Sequence, residues 1–361
     1  MRRIIFLLLV LILITPTQAQ KISFLVLGDL HYDLLKDHDM DWLGKKPDDL
    51  RQVTREYAVY TKNNWDDFMM LLRNKVQSAN PPVKAIIQLG DLSEGLAGSS
   101  EKAMQMAGDA VKAIENAKMQ VPWILIKGNH DITGPGAPEA FNKIYIPVIR
   151  KYTGNPGIKS ANYSWTVNNV QITCVDPWDK NTNIIEFLER ELSGSKAAVK
   201  IVAIHEPVIP VTERCWHVLR NQPDEREKLL EVLARNKAIV LCGHLHRYSV
   251  VKRETKYGPI VQIMVLSVIS DRNYLTPKKV ITKYGASLAE DVPEWEPETL
   301  AQRKTWLTEE SKFVTFYKQT DLPGYAILNI DSVNNTVTLD YFAAFGKEPY
   351  DRINISGLMN K

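Results

Sequence analysis

Cysteine is scarce in this sequence, and the three in its 361 residues are Cys174, Cys215 and Cys242. Cys174 and Cys242 lie within apolar runs, where cysteine usually behaves as a small buried hydrophobic residue. An odd number of cysteines without close spacing excludes a small disulfide-stabilised domain. A single Cys174–Cys242 disulfide remains the alternative, although cysteines on two strands rarely meet its distance requirement.

Long apolar runs are equally rare, and no stop-transfer segment follows Ala19. The strongly apolar run of residues 4–14 is too short to span a bilayer comfortably. It follows Arg2 and Arg3 and precedes small residues, which is typical of a secretory signal peptide. We therefore expect residues 1–20 to be a signal peptide and the mature protein to be periplasmic or secreted. A short membrane anchor is the alternative.

The sequence also lacks a strong charge of either sign. Its 45 basic and 42 acidic residues give a formal net charge of +3, and removal of Arg2 and Arg3 with the signal peptide lowers it from +3 to +1. No basic footprint for nucleic acid remains. We expect a small-molecule substrate instead.

No internal repeat, low-complexity tract or Gly/Ser-rich linker marks a domain boundary. Residues 21–361 are long enough for a sizeable core and are expected to form one domain. Two polar stretches, residues 34–64 and 270–312, fit poorly as core and are expected to be loop excursions over one face. Long loops of this kind are often functional.

Short apolar runs alternate with polar, often helical stretches, which is typical of the buried strands of an α/β protein. Strands are expected at residues 22–27, 85–89, 123–126, 170–175, 199–204 and 238–241. Helices are expected at residues 65–77, 101–117, 138–152, 183–192 and 224–235. The last third predicts hairpins from residues 247–255, 260–267, 325–330 and 336–342. These elements predict an α/β fold with two packed mixed β-sheets flanked by helices.

Motifs rich in Asp, Asn and His directly follow the predicted strands. They are Gly28-Asp29-Leu30-His31, Gly90-Asp91, Gly128-Asn129-His130-Asp131, His205 and Gly243-His244-Leu245-His246. Because sites in open α/β sheets form outside the carboxyl ends of the strands, we expect these motifs to meet at one edge. Glycine precedes four of them, as expected where the backbone turns sharply in a crowded site. Any one residue alone is explained by a hydrogen-bonded turn, but the ordered set predicts a metal centre.

In this order the motifs resemble the signature of the calcineurin-like metallophosphoesterase superfamily, over residues 28–246. The resemblance implies the family's four-layer sandwich and hydrolysis of a phosphoester by water activated at two divalent ions, of Mn, Fe or Zn type. It implies that the first ion is held by Asp29, His31, Asp91 and His246. The second would be held by Asp91, Asn129, His205 and His244, so that Asp91 bridges both.

The resemblance also implies that His130 is the catalytic histidine, which gives a proton to the leaving alkoxide. Asp131 is expected to orient His130 or a neighbouring ligand. A simple helix-cap or turn role for Asp131 is the alternative.

Differences from the family pattern argue against two subfamilies. Glu94 stands where purple acid phosphatases place a tyrosine ligand, which argues against a purple Fe(III) site. Protein Ser/Thr phosphatases carry an arginine soon after the bridging aspartate, whereas this chain has Ser93, Glu94 and Gly95. The remaining pattern is similar to the family's phosphodiesterases, nucleotidases and sphingomyelinase-like members.

The charges of residues beside the motifs indicate whether the substrate is a phosphodiester or a phosphomonoester. A carboxylate at Glu206 would repel a dianionic monoester more than a monoanionic diester, so we expect a diester of a small nucleotide, phospholipid or glycan-linked compound. A monoesterase or nucleotidase is the alternative, followed by an inactive metal-binding recognition module. Arg247 is a candidate ligand for a phosphate oxygen, unless it is simply an exposed strand arginine. His38 and His217 are expected at the surface or in a substrate loop.

Overall fold

The computed structural model describes residues 21–360, so the predicted signal peptide lies outside the described residues. The strands are β1 (Lys21–Leu27), β2 (Val83–Gln88), β3 (Trp123–Leu125), β4 (Tyr163–Val167), β5 (Val170–Val175), β6 (Val199–Ile204), β7 (Ile239–Cys242), β8 (Tyr248–Thr255), β9 (Gly258–Met264), β10 (Val280–Ile281), β11 (Val314–Thr320), β12 (Gly324–Asp331), β13 (Thr336–Ala343) and β14 (Asp351–Asn354). The helices are α1 (Met40–Leu43), α2 (Pro47–Gln52), α3 (Ala58–Ser78), α4 (Ser100–Asn116), α5 (Ala137–Ala140), α6 (Ile146–Thr153), α7 (Ile184–Ser193), α8 (Pro223–Arg235), α9 (Leu300–Glu310) and α10 (Ile355–Met359).

The strands form two mixed sheets. A six-stranded sheet has the order β14-β13-β12-β1-β2-β3, and an eight-stranded sheet has the order β10-β11-β8-β9-β7-β6-β5-β4. In the first sheet β1 runs parallel to β2 and antiparallel to β12. In the second, β6 runs parallel to β5 and β7, whereas β8 runs antiparallel to β9. The predicted α/β fold of two packed mixed sheets flanked by helices is confirmed.

The sheets pack on each other through a hydrophobic core. Tyr248 of β8 stacks on Tyr341 of β13, with ring centroids 3.7 Å apart, and both are fully buried. Phe68 of α3 packs on the first sheet near Tyr325. Helices α7 and α8 contact the second sheet and bury a separate cluster that includes Leu233. This packing fixes the strands whose ends carry the motifs.

The stretch 34–64 is more helical than predicted. Helix α2, a π-helical turn at Val53–Tyr57 and α3 follow one another from residue 47 to residue 78. Few apolar residues of this segment enter the main core, and Tyr57 is instead buried against His31, so hydrophobic periodicity was too weak to reveal the helix. In the stretch 270–312, β10, α9 and short 3₁₀ turns interrupt the loops.

All three cysteines are buried and free, so the alternative of a Cys174–Cys242 disulfide is wrong. Within residues 21–360, no helix combines the length and apolar character needed to cross a bilayer.

Candidate metal centre

The predicted motifs meet where the carboxyl ends of strands from both sheets come together. Asp29 and His31 follow β1, Asp91 follows β2, Asn129 follows β3, His205 follows β6, and His244 and His246 follow β7. The side chains of these seven predicted ligands lie in mutual contact, as the distances below show. Most are buried, with Asp29, His31, Asp91 and His205 at most 1% exposed.

The backbone at this edge is strained. Positive φ angles, from 41° to 76°, occur at Asp29, His31, Asp91, His244 and His246. Each such non-glycine residue costs on the order of 1–3 kcal/mol, and strain of this kind clusters at functional sites. At His244 the compensation is visible, because its backbone N–H donates to both oxygens of Asp29, at 2.8 and 3.0 Å.

Two of the motif glycines make room for carboxylates. A Cβ on Gly128 would lie 2.1 Å from Oδ1 of Asp91, and a Cβ on Gly243 would lie 2.5 Å from Oδ2 of Asp29. Any side chain there would displace the carboxylate. The crowding expected from the glycine pattern is present.

One group of side chains has the arrangement of ligands to a single ion. Asp29, His31 and His246 place their ligand atoms within 4.8 Å of one another. The Nε2 atoms of His31 and His246 are 3.0 Å apart, and Oδ1 of Asp29 is 3.7 Å from Nε2 of His246. Two imidazole nitrogens bound to one ion at roughly 2.1 Å would lie roughly 3.0–3.4 Å apart. This group therefore fits a metal ion.

A second group adjoins the first. Asp91, His205 and His244 also place their ligand atoms within 4.8 Å. Oδ1 of Asn129 lies 3.1 Å from Nε2 of His205 and 2.8 Å from Nδ1 of His244. Oδ2 of Asp91 is 3.0 Å from Nε2 of His205 and 3.9 Å from Nε2 of His31, so one oxygen reaches both groups.

The electrostatics of several buried groups also suit a cation, whereas at His205 burial is outweighed by Asp91, which raises the pKa of His205 to about 10. Burial raises the pKa of Asp29 to about 7. Burial opposes ionisation of Asp91 as well, but His205 and His130 hold its pKa well below its usual range. Burial lowers the pKa of His244 to about 3 and that of His246 well below its usual range, so both imidazoles are neutral at pH 7. Neutral imidazoles beside buried carboxylates offer lone pairs and negative charge to a divalent ion.

Glu94 is a site residue whose role the sequence reasoning missed. Its Oε2 lies 2.6 Å from Nδ1 of His31, and its Oε1 accepts from Nε2 of Gln52, also at 2.6 Å. Tyr57 stacks on the face of the His31 ring, with ring centroids 4.3 Å apart and an angle of 5° between the ring planes. Such contacts orient a ligand histidine. The sequence shows only that Glu94 stands three residues after Asp91, in place of a tyrosine ligand, and it does not reveal the contact with His31.

His130 adjoins both groups of predicted ligands. A ring nitrogen of His130 lies within 4.8 Å of the ligand atoms of His31 and Asp91. Its Nδ1 is 2.7 Å from the carbonyl oxygen of Glu94, which fixes the proton on Nδ1 and leaves Nε2 for another partner.

Asp131 contacts backbone atoms of two motifs. Its carboxylate accepts from the N–H groups of Gly128 at 2.9 Å, Asp91 at 3.0 Å and Ser93 at 3.1 Å. None of its hydrogen bonds within residues 21–360 reaches the His130 ring. The contacts match the turn role that was the alternative for Asp131. They also connect the motif Gly90-Asp91 to the motif of residues 128–131.

Two histidines outside the motifs, His38 and His217, are buried, so the expectation that they lie at the surface is wrong; their place in a substrate loop stays a prediction. His38 is 3% exposed and its Nε2 lies 2.7 Å from Oδ1 of Asp33. His217 is 4% exposed and its Nδ1 donates to the carbonyl oxygen of Cys215 at 2.6 Å. Both are buried polar side chains, which hydrophobic periodicity in the sequence cannot reveal.

The two charged neighbours of the motifs are both partly buried. Arg247 donates to Oε1 of Glu213 and to the carbonyl oxygen of His246, each at 3.0 Å. Its guanidinium is thus already engaged. Burial raises the pKa of Glu206, and the charge of Arg220 opposes this shift.

Comparison with known proteins supports the family resemblance. A family model described as calcineurin-like phosphoesterase matches residues 22–248. Among curated proteins none matches the chain. Among solved structures, the chain is similar to GAP50, described as the anchor in the inner membrane complex of Plasmodium, with 13% identity and a TM-score of 0.50 over 92% of this chain and 88% of that one. A structure of PhoD gives 10% identity and a TM-score of 0.49 over 93% of this chain and 68% of that one.

Identity as low as that to GAP50 supports the fold alone. The family match covers more than half of the sequence and includes every predicted ligand. The chain belongs to the calcineurin-like phosphoesterase family.

Proposed function

We propose that this protein is an exported, metal-dependent phosphoester hydrolase that prefers a phosphodiester of a small nucleotide, phospholipid or glycan-linked compound. The observation that carries the proposal is the convergence of seven potential ligands in two groups that share Asp91. Membership of the phosphoesterase family supports phosphoester hydrolysis as the reaction. Export rests on the signal-peptide pattern of residues 1–20.

The donor set favours two divalent ions of Mn, Fe or Zn type, because imidazole ligands suit these ions better than magnesium. Bound in such a site, two ions activate water and stabilise charge on the attacking and leaving oxygens. Asp29, His31, Asp91 and His246 would hold one ion. Asp91, Asn129, His205 and His244 would hold the other.

His130 is the group placed to move a proton. The carbonyl oxygen of Glu94 holds the Nδ1 side of its ring, so Nε2 is the atom that would protonate the leaving oxygen. Close by, the rings of Trp178 and Trp216 lie 6.0 Å from His205 and 5.5 Å from His244. These large rings would limit the access of bulk water to the reacting groups.

The preference for a diester rests on Glu206. This partly buried carboxylate directly follows His205, and less solvent screens its charge than at an exposed position. A dianionic monoester would be repelled more strongly than a monoanionic diester.

The test compares initial rates on bis-p-nitrophenyl phosphate and p-nitrophenyl phosphate, with manganese-loaded mature protein and an Asp91→Asn control. A diester preference that disappears in the control is the expected result. A monoester preference would identify a phosphatase or nucleotidase instead. No turnover of either ester by metal-loaded protein would favour the inactive recognition module. N-terminal sequencing of the protein from its host checks cleavage near residue 20.

A further inference from the structure

Arg214 is a partly buried cation that forms no ion pair with any residue between 21 and 360. Its Nε is buried and has no hydrogen-bond partner in this described part of the chain. The adjacent carboxylate of Glu213 is bonded through Oε1 to Arg247 instead, at 3.0 Å. An unpaired buried charge is costly unless a ligand compensates for it.

Aromatic rings hold Arg214 close to the predicted metal ligands. Its guanidinium carbon lies 4.2 Å from the ring centroid of Trp295 and 5.7 Å from that of Trp216. The Trp216 ring in turn lies 5.5 Å from the ring of His244. Stacking of this kind orients a guanidinium plane while leaving its edge free for hydrogen bonds.

The loop that carries Arg214 is fixed by the excursion of residues 270–312. Arg303 is 1% exposed and donates to the carbonyl oxygens of Glu213 and Trp295. It therefore ties the residue before Arg214 to the ring that covers Arg214. Thr212 and Cys215 adopt positive φ angles of 64° and 56°, and a strained loop held by buried contacts is a common feature of ligand sites.

Trp216 links Arg214 to the second group of predicted ligands, because its ring lies 5.7 Å from the Arg214 guanidinium carbon and 5.5 Å from the His244 ring. Burial lowers the pKa of Arg214, and the charge of Glu213 is the largest that opposes this shift. An anion bound beside His244 would therefore lie within the electrostatic field of Arg214.

We propose that Arg214, packed against Trp295 and near Trp216, is an anion-binding residue that donates to the nonbridging oxygens of the substrate phosphate. This inference rests on the proposed function, because it takes the phosphate to bind at the two ligand groups. It assigns the task to Arg214 instead of Arg247, whose guanidinium is engaged by Glu213 and His246. Planar, bidentate donation to phosphate is the chemistry for which arginine is suited.

Calorimetric titration of the manganese-loaded mature protein with inorganic phosphate tests the proposal. Arg214→Gln is expected to weaken phosphate binding about tenfold or more, because a charge-assisted hydrogen bond is lost. The manganese content, measured by elemental analysis, should not change. The matched control is Arg235→Gln, which removes the same charge from an exposed arginine of α8, 4.8 Å from the Tyr257 ring, and it should bind phosphate like wild type.

Equal phosphate affinity in Arg214→Gln and wild type would overturn the proposal, as would an equal loss in Arg235→Gln or no saturable binding by wild type. If circular dichroism shows that Arg214→Gln does not fold, Arg214→Lys replaces it. The lysine keeps the charge but loses the planar donor pair, so intermediate affinity supports the proposal and unchanged affinity contradicts it. Arg214-dependent phosphate binding without ester hydrolysis would refute only the proposed function. Hydrolysis with unchanged phosphate affinity in Arg214→Gln would refute only the role of Arg214.

Discussion

Oε2 of Glu94 lies 2.6 Å from Nδ1 of His31, and both side chains are fully buried. The contact fixes the proton on Nδ1 and leaves Nε2 of His31 facing Nε2 of His246, 3.0 Å away. Burial raises the pKa of Glu94 to about 8, but a divalent ion at His31 would favour its carboxylate form. Glu94 therefore positions His31, a predicted metal ligand.

Replacing Glu94 should weaken metal binding without removing a ligand. In Glu94→Ala, the His31 ring loses the acceptor at Nδ1, so we expect manganese affinity to fall about 10- to 100-fold. Calorimetric titration with manganese measures the change. In the control Gln52→Ala, the contact between Glu94 and His31 remains, and a much smaller loss is expected. Equal affinity of Glu94→Ala and wild type would show that the contact does not position His31.

Asp91→Asn should affect both ions at once. The oxygen of Asp91 that lies 3.0 Å from His205 and 3.9 Å from His31 is the feature common to both ligand groups. Loss of its charge would leave the two proposed cations without a shared counter-charge, so we expect the bound manganese to fall from the proposed two ions to fewer than one. Elemental analysis after gel filtration measures the content.

Asn129→Ala is the comparison for Asp91→Asn. It removes a neutral oxygen that contacts only the second group, His205 and His244. One ion should remain bound. Loss of a single ion from Asp91→Asn would contradict the bridging role.

The strand-end motifs could be predicted because metal ligands and their glycines are local features of the sequence. The positions of Asp29, His31 and Asp91 follow from where β1 and β2 end. Glu94 and Arg214 could not be assigned in the same way. Their roles depend on contacts with residues far along the chain, such as Gln52 for Glu94 and Trp295 for Arg214.

Secondary-structure elements that depend on distant contacts are equally hard to predict from the sequence. Helix α4 was predicted because its buried residues recur at helical spacing and Ser99 caps its first turn by accepting from Lys102. The beginning of α3 was missed because the segment before it buries Tyr57 against a histidine. Burial against a polar site leaves no apolar stripe in the sequence.

Asp131→Ala should act first on stability. The substitution leaves the N–H groups of Gly128, Asp91 and Ser93 without their carboxylate acceptor. Hydrogen bonds to a charged group contribute about 1.5–3 kcal/mol each, and water would replace part of them, so we expect the free energy of unfolding to fall by about 2–4 kcal/mol. Urea unfolding measures this change.

His130→Ala distinguishes this stabilising role of Asp131 from an effect that Asp131 would have through the His130 ring. The His130 side chain is partly exposed, so its removal should lower the free energy of unfolding by less than about 1 kcal/mol while reducing turnover. If Asp131→Ala unfolds like wild type and only turnover falls, Asp131 acts through His130 after all.

His217 should make the protein less stable in acid. Burial lowers its pKa to about 3, whereas the pKa in the unfolded chain is near 6.5. Between these values the unfolded state binds a proton that the folded state does not. The contribution of His217 is therefore fully present above pH 6.5 and falls by about 1.4 kcal/mol per pH unit as the pH decreases towards 3. Between pH 7 and pH 5 the free energy of unfolding, measured with urea, should fall by about 2 kcal/mol less in His217→Gln than in wild type.

His38 provides a control of opposite sign. Burial lowers its pKa, but the carboxylate of Asp33 more than reverses this and the pKa is raised overall. Its contribution is fully present below pH 6.5 and is lost as the pH rises through the folded value. Relative to wild type, His38→Gln should therefore lose more stability at pH 5 than at pH 7, whereas His217→Gln should show the reverse. Effects of the same sign in both variants would mean that the pKa of His38 is not raised in the folded state, or that His217 is accessible to protons there.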